Sequence, residues 1–565
     1  MRLTGSGQAF GGGTAINHED TDNRIELSQA LWDLRCGIAR RGGASANQVS
    51  FGRMLTDPGY RARVIGRVRQ SESEELRRLG DAAAQLNTGR LAESPVSWDA
   101  AGRTELDIDE LADDGQRQAR QIARNVPIAG AAMVVMLFAI AGGVMSYLFS
   151  DSLAAMIAGR KHVGGEITES TTWRSGRTYV LDDMVYVTDG ATLTIERGAR
   201  VLGESGSALV ITRSANIQAH GTRTEPIVFT SSRPPGERAR GDWGGLVLLG
   251  DSPVNDADPH VEGIPGGDPR GDFGGADAAG SCGVLKYSRI EFAGHEIAAN
   301  IELNGLTLGG CGNATVVRHV QVHMGLDDGI EIFGGSVNLD HIVLTREKDD
   351  SLDWDRGWRG NAQFVVIQQE ADAGDNGFEA DNNVADHDAQ PRSEPTIANV
   401  TMVGSRSKGA SQRAMTLRRG TAGDLRNIIV TGFPAELVDL RDRGTAAMVA
   451  AGRLRFSGVI ADRIGPGGDR YEEPENGERD DDGGFDEAGF LRSSAVRLGT
   501  DPGLPEAAFD LRAPRFVPAA GSPAAHGAAE LPQGEFWDEG ARYIGALEPG
   551  ATSSWLDGWT AFPAD

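Results

Sequence analysis

Short strand-like segments of similar pattern return repeatedly along the second half of the chain, and this recurrence limits the fold more than any other feature. Arg289-Ile-Glu-Phe, His319-Val-Gln-Val, His341-Ile-Val-Leu, Asn399-Val-Thr-Met and Asn427-Ile-Ile-Val each open on a polar residue and continue as a short strand. A second set follows them: Leu306-Thr-Leu, Ile330-Glu-Ile, Leu352-Asp-Trp, Phe378-Glu-Ala, Met415-Thr-Leu and Val438-Asp-Leu. His319 to His341 and Ile330 to Leu352 are both steps of 22 residues. A unit of that size cannot bury its own apolar side, so successive units must stack with their strands in parallel, rung on rung. The result is an all-β fold, a parallel β-helix. Strand alternation turns Ile330, Ile332, Leu352, Trp354, Phe378 and Ala380 inward and leaves Glu331, Asp353 and Glu379 on the outer face. Insertions such as Asp251–Ser281 and the acidic Asp469–Glu487 loop are expected to project sideways.

Upstream, residues 126–149 read VPIAGAAMVVMLFAIAGGVMSYLF, 24 positions without a charge. At about 1.5 Å per residue this length crosses a hydrocarbon core of about 30 Å, and its distance from residue 1 separates it from a cleaved signal peptide. Arg117, Arg120 and Arg124 precede the span, which favours a cytoplasmic N-terminus, although Arg160 and Lys161 follow it. The expected organisation is therefore a cytoplasmic region 1–125, a transmembrane helix 126–149, a connector 150–184, a β-helix 185–460 and a loop-rich C-terminal cap 461–565. Such a chain is a single-pass membrane protein with its β-helix in the periplasm or outside the cell. In the N-terminal region, Leu27, Leu31, Leu34 and Ile38 form a helical stripe, and a second helical stretch follows Pro58 towards Leu79.

The net charge of −26 is unevenly placed, because the first 125 residues carry 17 Arg against 18 acidic residues and are almost neutral. An outer part this acidic argues against a nucleic-acid partner, which needs clustered positive charge. The 77 glycines have no collagen period and suit turn-rich β structure.

Three rungs concentrate the acid: Asp327-Asp328-Gly-Ile-Glu331, Asp349-Asp350-Ser-Leu-Asp353 and Asp375-Asn376-Gly-Phe-Glu379. Neighbouring parallel strands lie about 4.8 Å apart, so stacked carboxylates repel unless something neutralises them. A hard cation such as Ca²⁺, held by Asp327, Asp328, Asp349, Asp350 and Asp375, is one solution. Shared protons at raised pKa are a second. A ladder of turn residues whose side chains cap backbone N–H groups is the third. Glu331, Asp353 and Glu379, with Arg356, Trp358 and Arg359 beside them, are the candidate ligand-binding residues, Trp358 being the ring expected to face a sugar. His319 and His341 align on adjacent rungs, but their column continues as Asn399 and Asn427 and reads as a polar ladder at a bend.

Cys282-Gly and Cys311-Gly precede their strands by nearly equal spans, so the two cysteines fall one strand spacing apart, within reach of a disulfide in an oxidising compartment. Cys36 stands alone as a reduced thiol.

The runs Asp189-Gly-Ala-Thr-Leu-Thr-Ile-Glu, Pro226-Ile-Val-Phe-Thr-Ser, Trp243-Gly-Gly-Leu-Val, Gly305-Leu-Thr-Leu-Gly-Gly, Asp327-Asp-Gly-Ile-Glu, Tyr543-Ile-Gly-Ala and Gly558-Trp-Thr resemble, in order, a bacterial family of surface or secreted β-helix proteins of pectin-lyase-like fold. The resemblance covers roughly residues 165–563 and implies a right-handed parallel β-helix. Members usually begin with a secretion or lipoprotein signal, whereas this chain has an internal span. A partial likeness to polygalacturonase-type glycoside hydrolases rests on Asp328-Gly329 followed one rung later by Asp349-Asp350, and would make Asp328, Asp349 and Asp350 the catalytic carboxylates. Against it, Leu326-Asp327 replaces the Asn-Thr of that motif, and neither a His-Gly pair nor an Arg-x-Lys follows. The expected function is thus binding or structural, towards a glycan or other envelope component, with a polysaccharide-degrading enzyme as the alternative.

Overall fold

The structure is a computed structural model that describes Leu27, Leu31 and Leu34 and residues 58–71, 73–88, 160–298, 301–407, 411–468, 471 and 484–565. It divides into two compact units, residues 1–155 and 156–565. Among the described residues no helix is long and apolar enough to cross a membrane. The apolar segment 126–149, Ile38, Cys36 and most of the acidic loop after Asp469 lie outside them.

In the first unit Leu27, Leu31 and Leu34 are helical and buried. The stretch after Pro58 is two helices, α1 (Pro58–Val68) and α2 (Glu74–Leu86), where the periodicity predicts one. Ser73 divides them, its hydroxyl accepting from the backbone N–H of Leu76 as a cap for α2.

The second unit is built on a stack of 23 strands, with a short antiparallel pair, Glu296–Ala298 and Ile301–Glu302, outside it. Every strand pairing within the stack is parallel, and the pairings resolve into three ladders. One ladder carries Gly283–Lys286, Val316–Arg318, Asn338–Asp340 and their successors to Leu454–Ser457. After a one-residue bend the same strands enter a second ladder, through Val320–His323, Ile342–Thr345 and Val365–Gln368. The bend residues are Tyr287, His319, His341, Phe364, Asn399, Asn427 and Gly458, all left-handed with φ between 48° and 67°. The third ladder joins Leu246, Leu306, Ile330, Leu352, Phe378, Met415 and Val438 rung by rung, as their spacing predicts. Trp173, Ile330, Trp354, Phe378 and Met415 belong to the continuous interior they enclose.

Four expectations change. Strands begin at Arg160, pairing with Thr178–Val187, so the β-helix starts well before Val185 and takes in much of the supposed connector. Arg289 pairs with Gln321 and is not in the bend column, where Tyr287 stands two residues earlier. The insertion at 251–281 does not project sideways. It lies back on the third ladder, with Asn255 Nδ2 donating to Asn382 Oδ1 at 2.8 Å and Asn255 N to Arg356 O at 2.9 Å.

Residues 500–565, lastly, are less a cap than a strap running back along the second ladder. Asn427 exchanges hydrogen bonds with the backbone of Ala529, Asn399 donates to Tyr543 O, Gln321 exchanges with Ala561 and His323 bonds Pro563 O. The strap buries the outer faces of Val343, Val366 and Val403 beneath Phe516, Leu547 and Trp559. A strand covered on both sides has no polar alternation, which is why His341-Ile-Val-Leu and Asn427-Ile-Ile-Val are apolar throughout. Cys282 and Cys311 form the expected disulfide, with a Cα separation of 5.6 Å.

Candidate functional site

Four consecutive strands of the third ladder are entered through an Asn or Asp followed by a small residue: Asn304-Gly305, Asp328-Gly329, Asp350-Ser351 and Asn376-Gly377. The chain is tight here, since a Cβ on Gly329 would stand 2.5 Å from Ser351 O. Asp350 N donates to Asp328 Oδ1 at 2.9 Å, and Asn376 N to Asp350 Oδ1 at 2.6 Å. One oxygen of each aspartate is therefore a ladder cap, the third of the expected arrangements.

The acidic rungs hold more carboxylate than this ladder uses. Asp327, Asp328 and Asp349 form one group whose carboxylate oxygens lie within 4.8 Å of one another; Asp328, Glu331 and Asp353 form a second, and Asp349, Asp350 and Asp375 a third. All five residues expected to hold a cation are thus brought together, and Glu331 and Asp353 join them. Burial, then the charge of Asp349, pushes Asp327 up to about 8. Burial and the surrounding carboxylates raise Asp328, Glu331, Asp350 and Asp353 well above the ordinary carboxylate range, and burial with Asp375 raises Asp349.

Among the described residues arginines form ion pairs with the lower rungs of the same column and none with Asp328, Glu331 or Asp353 above them. Arg418 binds Glu379 and Asp381, Arg419 binds Asp381, and Asp439 lies 3.1 Å from Arg413 and 2.8 Å from Arg441. Above them Glu331 receives only the amide of Asn304. Asp353 is 8% exposed and its Oδ1 has no hydrogen-bond partner. A carboxylate oxygen buried without a donor carries a penalty of about 1–3 kcal/mol or more, which a cation bound by Asp328, Glu331 and Asp353 would remove. Hard oxygen donors of this kind suit Ca²⁺, whose remaining ligands would be water or a bound molecule.

A recess of about 360 Å³ opens over these rungs, bounded by His260–Ile264 of the insertion, by Glu331, Asp353 and Asp355, and by Arg356, Arg418 and Arg419. The insertion is what buries Glu331 and Asp353, although they point away from the interior. Arg356 stacks on the Phe333 ring at 4.5 Å and reaches His260 O at 3.3 Å. Glu379 stays on the ladder, held by Arg418. Trp358 does not face the recess: it is fully buried, its indole N–H bonded to Val337 O at 3.0 Å, because the left-handed Gly357 turns the chain inward. Arg359 lines a different cavity.

Of the three carboxylates proposed for catalysis, Asp328 and Asp350 are buried and each commits an oxygen to the ladder, while Asp349 is exposed. Sequence reasoning passed over Asn304, His260, Arg418 and Arg419. Asn304-Gly305 repeats the Asp328-Gly329 pattern and was findable; the others arrive from an insertion and from later rungs with no periodic signature.

His319 and His341 stack at 4.4 Å between the rings of Tyr287 and Phe364, under Trp555. Among the described residues no carboxylate–cysteine–histidine group of metal-binding geometry includes them. They are a bend ladder.

These features define a single-chain parallel β-helix with an acidic recess over one ladder. Residues 165–467, more than half of the chain, match the family described as pectate-lyase like beta helix domain, and the chain belongs to that family. Membership supports a carbohydrate-related role. No curated protein and no solved structure matches the chain.

Proposed function

We propose that the protein is a membrane-anchored, extracytoplasmic β-helix that binds a glycan or another envelope component in the recess over Glu331 and Asp353, with a divalent cation, Ca²⁺ by its ligand chemistry, completing the site. The observation that carries this reading is the buried, unpartnered oxygen of Asp353 within a carboxylate group with which, among the described residues, no arginine forms an ion pair. The cation would occupy the carboxylates, and Arg356, Arg418 and Arg419 on the other wall would orient an acidic or hydroxylated ligand. The apolar segment 126–149 supports the anchor, and the disulfide supports an oxidising compartment for the outer unit. A glycan array probed with the purified protein, with and without chelator, tests the reading. It expects retention that chelation and Asp353→Asn both abolish; retention indifferent to both would refute a cation-assisted site.

The enzyme alternative draws on Asp349, exposed among carboxylates of raised pKa. Release of reducing ends or unsaturated product from acidic polysaccharides, lost in Asp349→Asn, would establish it over binding alone.

A further inference from the structure

The insertion that walls the acidic recess carries an arm, residues 259–273, closed on itself as a hairpin. His260 and Asp272 form an antiparallel bridge, Val261 N donates to Gly271 O at 3.0 Å and Phe273 N to Pro259 O at 3.2 Å. The root of the arm is firm: Phe273 is buried and stacks on Phe333 at 5.9 Å, and Gly274 N donates to Gly250 O at 2.8 Å. Its outer part is held by polar contacts. Arg356 donates to His260 O at 3.3 Å, while Arg270 pairs with Glu166 at 2.9 Å and lies 3.9 Å from the centre of the Tyr186 ring. Partly exposed ion pairs of this kind stabilise weakly. Glu331 and Asp353 point away from the interior, yet beneath the arm each is only 8% exposed, so the distance of the arm from the rungs sets access to them.

The arm also bears the same charge as the rungs it covers. Glu262, on the part that lines the recess, is exposed and forms no ion pair among the described residues. It stands close enough to Glu302, Asp327 and Glu331 to repel each of them, with Arg356 acting in the opposite sense. Val261 and Ile264, on either side of it, are buried. Closure therefore sets the burial of two apolar side chains against the crowding of carboxylates, and an element balanced in this way is one that a bound charge can tip.

We propose that the arm is a lid on the acidic recess, closed by the divalent cation that the carboxylates bind and lifted about its root when the cation leaves. The inference rests on the cation-assisted reading given above and adds its regulation. A cation shifts the lid only through a difference in affinity between the two positions, and closure supplies that difference by bringing the charge of Glu262 to the site. By reciprocity, Glu262 strengthens cation binding as far as the cation strengthens closure.

Arg270 reports the position of the lid, because it is the one tryptic site between Arg240 and Lys286 and its side chain must leave Tyr186 to enter the protease. The full-length chain is digested at pH 8 in calcium and in chelator, and cleavage after Arg270 is followed by mass spectrometry relative to cleavage after Arg512 on the strap, which corrects for the protease. Calorimetry on the same preparation measures calcium binding. Cleavage after Arg270 should be about tenfold or more faster in chelator than in calcium, since it tracks the open population. Glu262→Gln, at an exposed position, should be cut slowly in both and should bind calcium more weakly. Calcium binding with equal cleavage in the two conditions would overturn the lid and leave the cation site standing, whereas no calcium binding would remove the site and the lid with it. Glu262→Gln cut in chelator as fast as the parent would overturn the part given to Glu262.

Discussion

Asp353 bears two opposed consequences. Without a cation its carboxyl must either add charge to a crowded, buried column or hold a proton there at a cost, so Asp353→Asn should raise the melting temperature measured in chelator, while removing most of the gain that calcium gives the parent. For one site that gain is about 2.7 kcal/mol at a hundredfold excess over Kd. A variant that keeps the full calcium response would place the ion elsewhere. The raised carboxylates also set a pH dependence. Asp327 and Glu347, both pushed up to about 8, chiefly by burial, hold protons in the folded state that the unfolded chain has released. Their contribution is complete below about pH 4 and drains away as the pH rises towards 8. His319 and His323, pushed down to about 3 by burial, act oppositely: their contribution is present above about 6.5 and lost as the pH falls towards 3. Between pH 6.5 and 8, of these four groups only the two carboxylates still change, so the unfolding free energy from urea titrations in chelator should fall across that window, by about 1–2 kcal/mol for each such group. Calcium should remove the share of Asp327 and its neighbours and leave that of Glu347. A flat profile in chelator would contradict the buried cluster. The acidic residues were legible in the sequence because their period matches the rung. The inward turn of Trp358 was not, since it depends on the conformation at Gly357.

At the scale of strands and segments, the recurring apolar-x-apolar pattern from Leu306 to Val438 carried the third ladder without error although its steps vary, yet the first bend was misplaced by two residues at Arg289, where an insertion breaks the repeat. The cysteine pairing survived that slip because both residues still fall on adjacent rungs. Their separation of 29 residues makes reduction cost about 3–4 kcal/mol. Urea unfolding with and without reductant measures it, and thiol labelling of the unfolded, unreduced chain should find Cys36 alone. The strap was the least legible element. Its polar, Gly- and Pro-rich sequence reads as loop, and only the missing alternation in the strands beneath it signals that something covers them. Trp559 is fully buried on that face, so Trp559→Ala should cost about 3–5 kcal/mol. It should also render residues 500–565 sensitive to limited proteolysis; resistance equal to the parent's would show that the strap is not held by this contact.

For the whole molecule, fold class followed from repetition alone, because stacking is the one arrangement that lets units of this size bury a core. Function did not follow in the same way. The recess needs an insertion laid over the ladder and arginines drawn from rungs far along the chain, and neither leaves a local motif. The proposed anchor at residues 126–149 is tested by alkaline extraction of membranes, which should leave the full chain in the pellet and release one lacking residues 126–149. The central claim, that the acidic rungs are completed by a divalent cation, is met most directly by calcium titration of the chelator-stripped protein followed by isothermal calorimetry. Saturable binding is predicted, lost or weakened about tenfold or more in Asp353→Asn, with a matching rise in melting temperature for the parent. Absence of binding at millimolar calcium, with one melting temperature in calcium and in chelator, would contradict it.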